Sequence, residues 1–106
     1  MARLELRPNC ELCDKDLPPH SAEARICSYE CTYCADCVDK VLHNVCPTCG
    51  GNFVARPMRP NNSWRAEEKL GLLNHPATTK RLHSSFTKED ISAHVARIRN
   101  IAPEDR

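Results

Sequence analysis

Cys27-Ser28-Tyr29-Glu30-Cys31-Thr32-Tyr33-Cys34-Ala35-Asp36-Cys37 places four cysteines within eleven residues. Two residues between cysteines let one tight turn aim two sulfurs at a single ion. Upstream stands Cys10-x2-Cys13, separated by thirteen residues from Cys27; eight residues beyond Cys37 stands Cys46-x2-Cys49. All eight cysteines of the 106-residue chain therefore lie in its first half. Four thiolates close one tetrahedral zinc site, so eight fill two sites with none left over.

The rest of the composition says why staples are needed. Aromatic residues make up 5% of the chain, one Trp, two Tyr and two Phe. So little large apolar surface makes an unaided core marginal at this length. Disulfides and metal are the two alternatives, and compartment decides between them. Arg3, Glu5 and Arg7 interrupt the N-terminal stretch, and no apolar run of signal-peptide length follows. The expected compartment is the reducing cytoplasm, where cysteines at this spacing are ligands. The expected cofactor is two Zn2+ ions. An iron–sulfur run needs its fourth cysteine three residues on, not eight. A thioredoxin-type site needs one Cys-x2-Cys after a βαβ pattern, which is missing. No stretch approaches the roughly 20 apolar residues of a membrane-spanning helix.

Around the paired cysteines the sequence suits ligand turns. In Cys46-Pro47-Thr48-Cys49-Gly50-Gly51, Pro47 fixes one φ angle and Gly50 is free to take a positive one. Pro8 and Asn9 before Cys10 are turn residues as well. His20 and His43 are the alternative donors, and both are read as exposed loop residues.

The expected fold is a small α+β metal-bound domain at residues 1–59, with short strands and one short helix, followed by a helical C-terminal extension at 60–106. Ala24–Ser28 reads as a brief strand and Phe53-Val54 as another. From Ala35 to about His43 the pattern is helical, with Val38, Val41, Leu42 and Val45 on one face. Cys34 and Cys37 then open a helix, whose dipole favours bound thiolates. Arg56-Pro57-Met58-Arg59-Pro60-Asn61-Asn62 is a break. Beyond it, Ser63 caps a helix expected near 64–73, ending before Pro76. Thr87-Lys88-Glu89-Asp90 resembles a capping box for a second helix near 88–102, with Ile91, Val95, Ile98 and Ala102 as its apolar stripe and Pro103 as its stop. That helix is expected to dock on the zinc core or on another copy of itself, since alone it is marginal.

Charge and motifs narrow the function. Residues 1–50 hold five basic against eight acidic residues, and residues 51–106 ten against six. Eight thiolates and two divalent ions make the loaded cysteine half more acidic still. A duplex-nucleic-acid binder presents a basic patch, and this half does the reverse. Closed all-cysteine sites leave no open catalytic position, and His75, His83 and His94 are scattered. No His-Glu-x-x-His, phosphate loop or Gly-x-Ser-x-Gly is present. The expectation is a non-enzymatic protein.

The cysteine order over residues 10–54 resembles the RING finger, with Tyr33 before Cys34 and a helix after Cys37 also RING-like. Cys31 stands where many RING domains have His. The resemblance implies interleaved sites, Cys10, Cys13, Cys34 and Cys37 on one ion and Cys27, Cys31, Cys46 and Cys49 on the other. A sequential order, with Cys10, Cys13, Cys27 and Cys31 on one ion, is the alternative. The cross-brace is favoured because it locks distant segments into one small core. The resemblance also implies a shallow partner groove at Leu12, Val41 or Leu42, and Pro47. Active RING ligases often carry a basic residue just after the last ligand; here it is Gly50, which points away from ligase activity. A second resemblance runs through more of the chain. Leu4-Glu5-Leu6-Arg7-Pro8-Asn9-Cys10-Glu11, Leu17-Pro18-Pro19, Ile26 to Cys34, Cys46 to Gly51 and Arg56 to Pro60 resemble a small, mainly bacterial, cysteine-rich domain family of unknown function. It implies no activity, and a bacterial setting lacks the usual ubiquitin machinery. The function expected is a protein–protein interaction module with an unidentified protein partner. A ubiquitin-ligase-like protein and a nucleic-acid-binding zinc protein are the alternatives, and self-association through the C-terminal helix is allowed.

Overall fold

The structure is a computed structural model that describes residues 4–106. Its centre is a three-stranded antiparallel sheet in the order β2-β1-β3, formed by β1 (Ala24–Ile26), β2 (Thr32–Cys34) and β3 (Val54–Ala55). Ala24 pairs with Cys34 and Ile26 with Thr32, while on the other side Ile26 pairs with Val54. β1 and β2 make a hairpin whose tip runs from Cys27 to Cys31. The tip is closed by bonds from Cys27 N to Cys31 O (3.2 Å) and from Glu30 N to Cys27 O (3.1 Å). Glu30 takes positive φ there. The free edge of β2 is covered by the first cysteine turn. Glu11 N donates to Thr32 O, and Thr32 N returns a bond to the Glu11 carboxylate.

β2 runs directly into α1 (Ala35–Cys37), which widens into a π-helical turn at Val38–Leu42. The expected helix from Ala35 to about His43 is therefore present, but its last turn is wide and ends in two left-handed residues, His43 and Asn44. The wide turn alters which side chains face inward. Val38, Leu42 and Val45 are buried, while Val41, read as part of the same face, is 48% exposed. The core gathers these residues with Leu17, Ala24, Tyr33 and Phe53. Tyr33 and Phe53 meet edge to face at 5.5 Å, so two of the chain's few aromatic rings serve one contact.

The C-terminal part differs from expectation. The helix expected near 64–73 is replaced by a single 3-10 turn at Ala66–Glu68. The segment closes on itself instead. Leu72 N bonds to Pro60 O, Ser63 Oγ accepts from Leu70 N, and Gly71 takes φ +86 where a Cβ would stand within 2.8 Å of the Asn61 and Asn62 backbone. Trp64 and Leu73 remain about four-fifths exposed, so no apolar face is buried to offset helix formation here. The second helix forms as α2 (Lys88–Ile98), with Thr87 Oγ1 accepting from Asp90 N as an N-cap should. It ends at Ile98 rather than near 102. Ala102 is exposed, and Pro103 opens a final 3-10 turn (Pro103–Asp105) instead of stopping the helix. The early end lets Arg106 reach back to Asn44 O and Gly50 O. Ile91 and Val95 enter the core and Ile98 packs against it, so α2 docks on the cysteine-rich core.

Arg56 ties the layers together. Its guanidinium is buried and donates to Arg7 O (2.8 Å), Leu17 O (3.0 Å) and Pro18 O (3.1 Å), with no carboxylate partner among the described residues. Removing it strands buried carbonyls, each costing on the order of 1–3 kcal/mol if left unpaired. Arg56→Ala should lower unfolding stability by about 2–3 kcal/mol in denaturant titration, while the exposed Arg65→Ala should be neutral. Equal midpoints for the two variants would refute this role.

Candidate metal centre

The first and last cysteine pairs sit on turns of the same construction. In both, the amide four residues after the first cysteine donates to that cysteine's carbonyl: Asp14 N to Cys10 O and Gly50 N to Cys46 O, each 2.9 Å. In both, the first cysteine's own amide donates five residues on: Cys10 N to Lys15 O and Cys46 N to Gly51 O, each 2.8 Å. In both, the residue after the second cysteine is left-handed, Asp14 at φ 66 and Gly50 at φ 79. Aspartate tolerates that region better than most side chains, and glycine enters it freely. Amides then point at sulfur. Cys13 N lies 3.5 Å from Cys10 Sγ, Gly51 N 3.3 Å from Cys49 Sγ and, at the hairpin tip, Tyr29 N 3.3 Å from Cys27 Sγ.

The thiols gather in the interleaved order. Sγ atoms of Cys10, Cys13, Cys34 and Cys37 all lie within 4.8 Å of one another, and those of Cys27, Cys31 and Cys46 form a second such group. The sequential pairing of Cys10 and Cys13 with Cys27 and Cys31 does not occur. Cys49 Sγ lies outside the second 4.8 Å grouping, although its turn places it at that cluster's exposed edge. The two overlapping Cys-x2-Cys pairs in the sequence, Cys31/Cys34 and Cys34/Cys37, are thereby separated. Cys34 and Cys37 span the start of α1 and serve one cluster. Cys31 immediately precedes β2 and serves the other. Residues three apart on an extended segment point to opposite faces, so Cys31 and Cys34 must part.

In the first cluster Cys13 Sγ and Cys34 Sγ are 3.7 Å apart. Tetrahedral thiolates about 2.3 Å from a zinc ion lie about 3.8 Å from one another, so these four donors fit such an ion. Burial raises the Cys37 thiol above its ordinary range and pushes Cys27 up to about 11. In the second cluster a Cys46–Cys31 thiol hydrogen bond lowers Cys31 to about 6 and raises Cys46. A metal ion must displace the protons held by Cys27, Cys37 and Cys46, so affinity falls as pH falls.

Two of the four expected groove residues share one cleft. Leu12 packs on the core edge and Val41 is half exposed, and both line a cleft of about 650 Å³ beside α2. Pro47 lines a second cleft of about 450 Å³ on the other side of α2. Leu42 is fully buried and belongs to the core, so it is not a partner contact. Sequence reasoning missed that α2 lies over this groove. Ile91 faces both clefts, and Ile98 Cδ1 lies 3.3 Å from where a Cβ on Gly50 would stand. Asn9, read only as a turn residue, is fully buried and bonds to Cys10 O, to Asp14 Oδ1 and to both backbone groups of Leu82. His20 and His43 join neither thiol group.

Residues 3–59 match the model of a family described as proteins of unknown function, DUF1272. An uncharacterized protein of Rhizobium meliloti (strain 1021) is 49% identical over 79 residues, covering 74% of this chain and 84% of the relative. No solved structure matches the chain. All eight cysteines fall inside the family-matched stretch, and α2 falls outside it.

Serine at Cys10 or Cys46 should cost the chain metal and fold together, read as lost ions in native mass spectrometry and lost tertiary circular dichroism. His20→Ala and His43→Ala should leave metal content unchanged. Metal should be released on acidification rather than on raising the pH, because protons compete for thiolates; release on alkalinisation alone would refute the assignment.

Proposed function

The chain belongs to the DUF1272 family, and from that premise we propose that it is a non-catalytic, cytoplasmic zinc protein whose RING-like domain is a protein–protein interaction module. The observation that carries the zinc reading is the convergence of four thiols from two distant segments, all within 4.8 Å of one another and two of them 3.7 Å apart. The second group, with Cys49 at its edge, supports a second ion. Zinc would supply folding energy rather than chemistry, since four thiolates leave no open position. The interleaved order supports the RING-like reading.

The groove between the two cysteine turns supports an interaction role. It is apolar, shallow and built to hold a helix, since α2 lies in it. The ubiquitin-ligase-like reading has less support, because α2 covers that groove and Ile98 takes the space beside Gly50. The nucleic-acid reading also has less, because three of the tail's cations are held by internal contacts. Arg81 bridges Asp14 and Asp16 at 2.8 Å each, Arg59 donates to Leu4 O and His75 O, and Arg106 donates to Asn44 O and Gly50 O. No helix among the described residues is long and apolar enough to cross a membrane.

Native mass spectrometry should find two zinc ions per chain, and a strong chelator should abolish tertiary circular dichroism. One ion, or a brown iron-containing protein, would overturn the zinc assignment. A tagged chain should retain a stoichiometric protein partner from its native cell, lost on chelation and insensitive to salt. Retention of nucleic acid released by salt would favour the other class.

A further inference from the structure

α2 is a poor fit to the groove that holds it. Only Ile91 and Val95 are fully buried, Ile98 is partly so, and two clefts of about 650 and 450 Å³ flank the helix. Ile91 lies on both clefts, which are otherwise lined by different sides of α2. Half-exposed Val41 and Phe86 line these clefts without being covered. One polar contact fixes the helix's direction: His94 Nε2 lies 2.9 Å from Cys46 O, and because a carbonyl only accepts, the ring donates. An eleven-residue helix has little stability of its own, so its docking rests on these few contacts.

The groove and its occupant have different standing. Leu12, Val41, Pro47 and Gly50 lie within the family-matched residues 3–59, whereas α2 lies beyond them. The two cysteine clusters hold the walls of the groove from beneath, through the first and last turns and through α1. Losing α2 would remove two buried side chains from the core and no metal ligand.

We propose that the groove is a receptor for an amphipathic helix, that α2 is its resident but exchangeable occupant, and that a partner protein binds by inserting its own helix in place of α2. The partner helix carries branched aliphatic residues at i, i+4 and i+7, as Ile91, Val95 and Ile98 do, with a hydrogen-bond donor at i+3 for the Cys46 carbonyl. Helices seated in apolar grooves by such anchors are a recurrent recognition mode. The cis helix lowers the apparent affinity for any competitor by the fraction of time the groove is closed. This inference rests on the interaction-module reading and supplies the partner's chemistry.

The test uses the full zinc-loaded chain and a fluorescently labelled synthetic peptide of residues 85–102. In an Ile91→Ser/Val95→Ser variant the resident helix loses its anchors. The peptide should bind this variant one to one, and the wild-type chain at least tenfold more weakly. A peptide with the same two substitutions should bind neither. In the wild-type chain, α2 amides should exchange with deuterium at least tenfold faster than amides of the two cysteine turns. The proposal is overturned by a variant that keeps both ions and does not bind the peptide. It is equally overturned by a variant that loses its ions, or by α2 amides as protected as the turns, since α2 is then integral to the fold. Peptide binding without any cellular partner would leave the exchangeable docking of α2 standing and sink the partner helix together with the module reading. A cellular partner that the peptide fails to displace would do the converse.

Discussion

The alternation of a β-strand fixes the architecture of this protein. Cys31 and Cys34 are three residues apart on an extended segment, so their thiols leave by opposite faces. One meets the hairpin-tip thiol of Cys27 and that of Cys46; the other meets Cys10, Cys13 and Cys37. The strand between them is therefore shared by two clusters. Neither cluster can form without placing β2 correctly, and each closes a long loop whose ends would otherwise have to be held by a small apolar core. The clusters are consistent with two metal sites, and that coupling is how a chain so poor in aromatic residues holds one structure.

The second layer of organisation is the way the remainder of the chain straps onto this frame. Asn9 fastens Leu82, Arg81 grips Asp14 and Asp16, and Ser84 N bonds to Glu11 O. α2 covers the groove, and Arg106 closes on Asn44 and Gly50. The exposed Arg81 pairs add little energy each, and their consequence is placement. They bring the basic tail onto the first cysteine turn, beside the acidic Asp14 and Asp16.

The cysteine turns were legible in the sequence because their chemistry is local: spacing, Pro47 and a glycine at the left-handed position. The N-cap at Thr87 and the α2 stripe were legible for the same reason. The interleaved order was not readable from spacing, because Cys31-x2-Cys34 has the interval of a turn but lies at the start of a strand; there the resemblance to RING fingers carried the expectation. The helix expected near 64–73 failed because a helical pattern needs a surface to bury against. Trp64 and Leu73 found none, while Gly71 allowed the chain to fold back. Val41 was misplaced because a π turn rotates side chains away from 3.6-residue spacing. Asn9 gave no signal, since its partner is 73 residues away.

On the proposed function, stability and recognition are carried by different chemistry. In an ordinary small domain, apolar side chains must do both, and a surface cannot be freed for a partner without weakening the core. Here metal-filled thiol clusters would fix the two cysteine turns and α1 in place, and the apolar groove between them would persist whether or not it is filled. A metal-held frame thus tolerates an underfilled groove that an oil-like core would collapse to close. The family model matches residues 3–59, which contain the frame, while α2 lies beyond them.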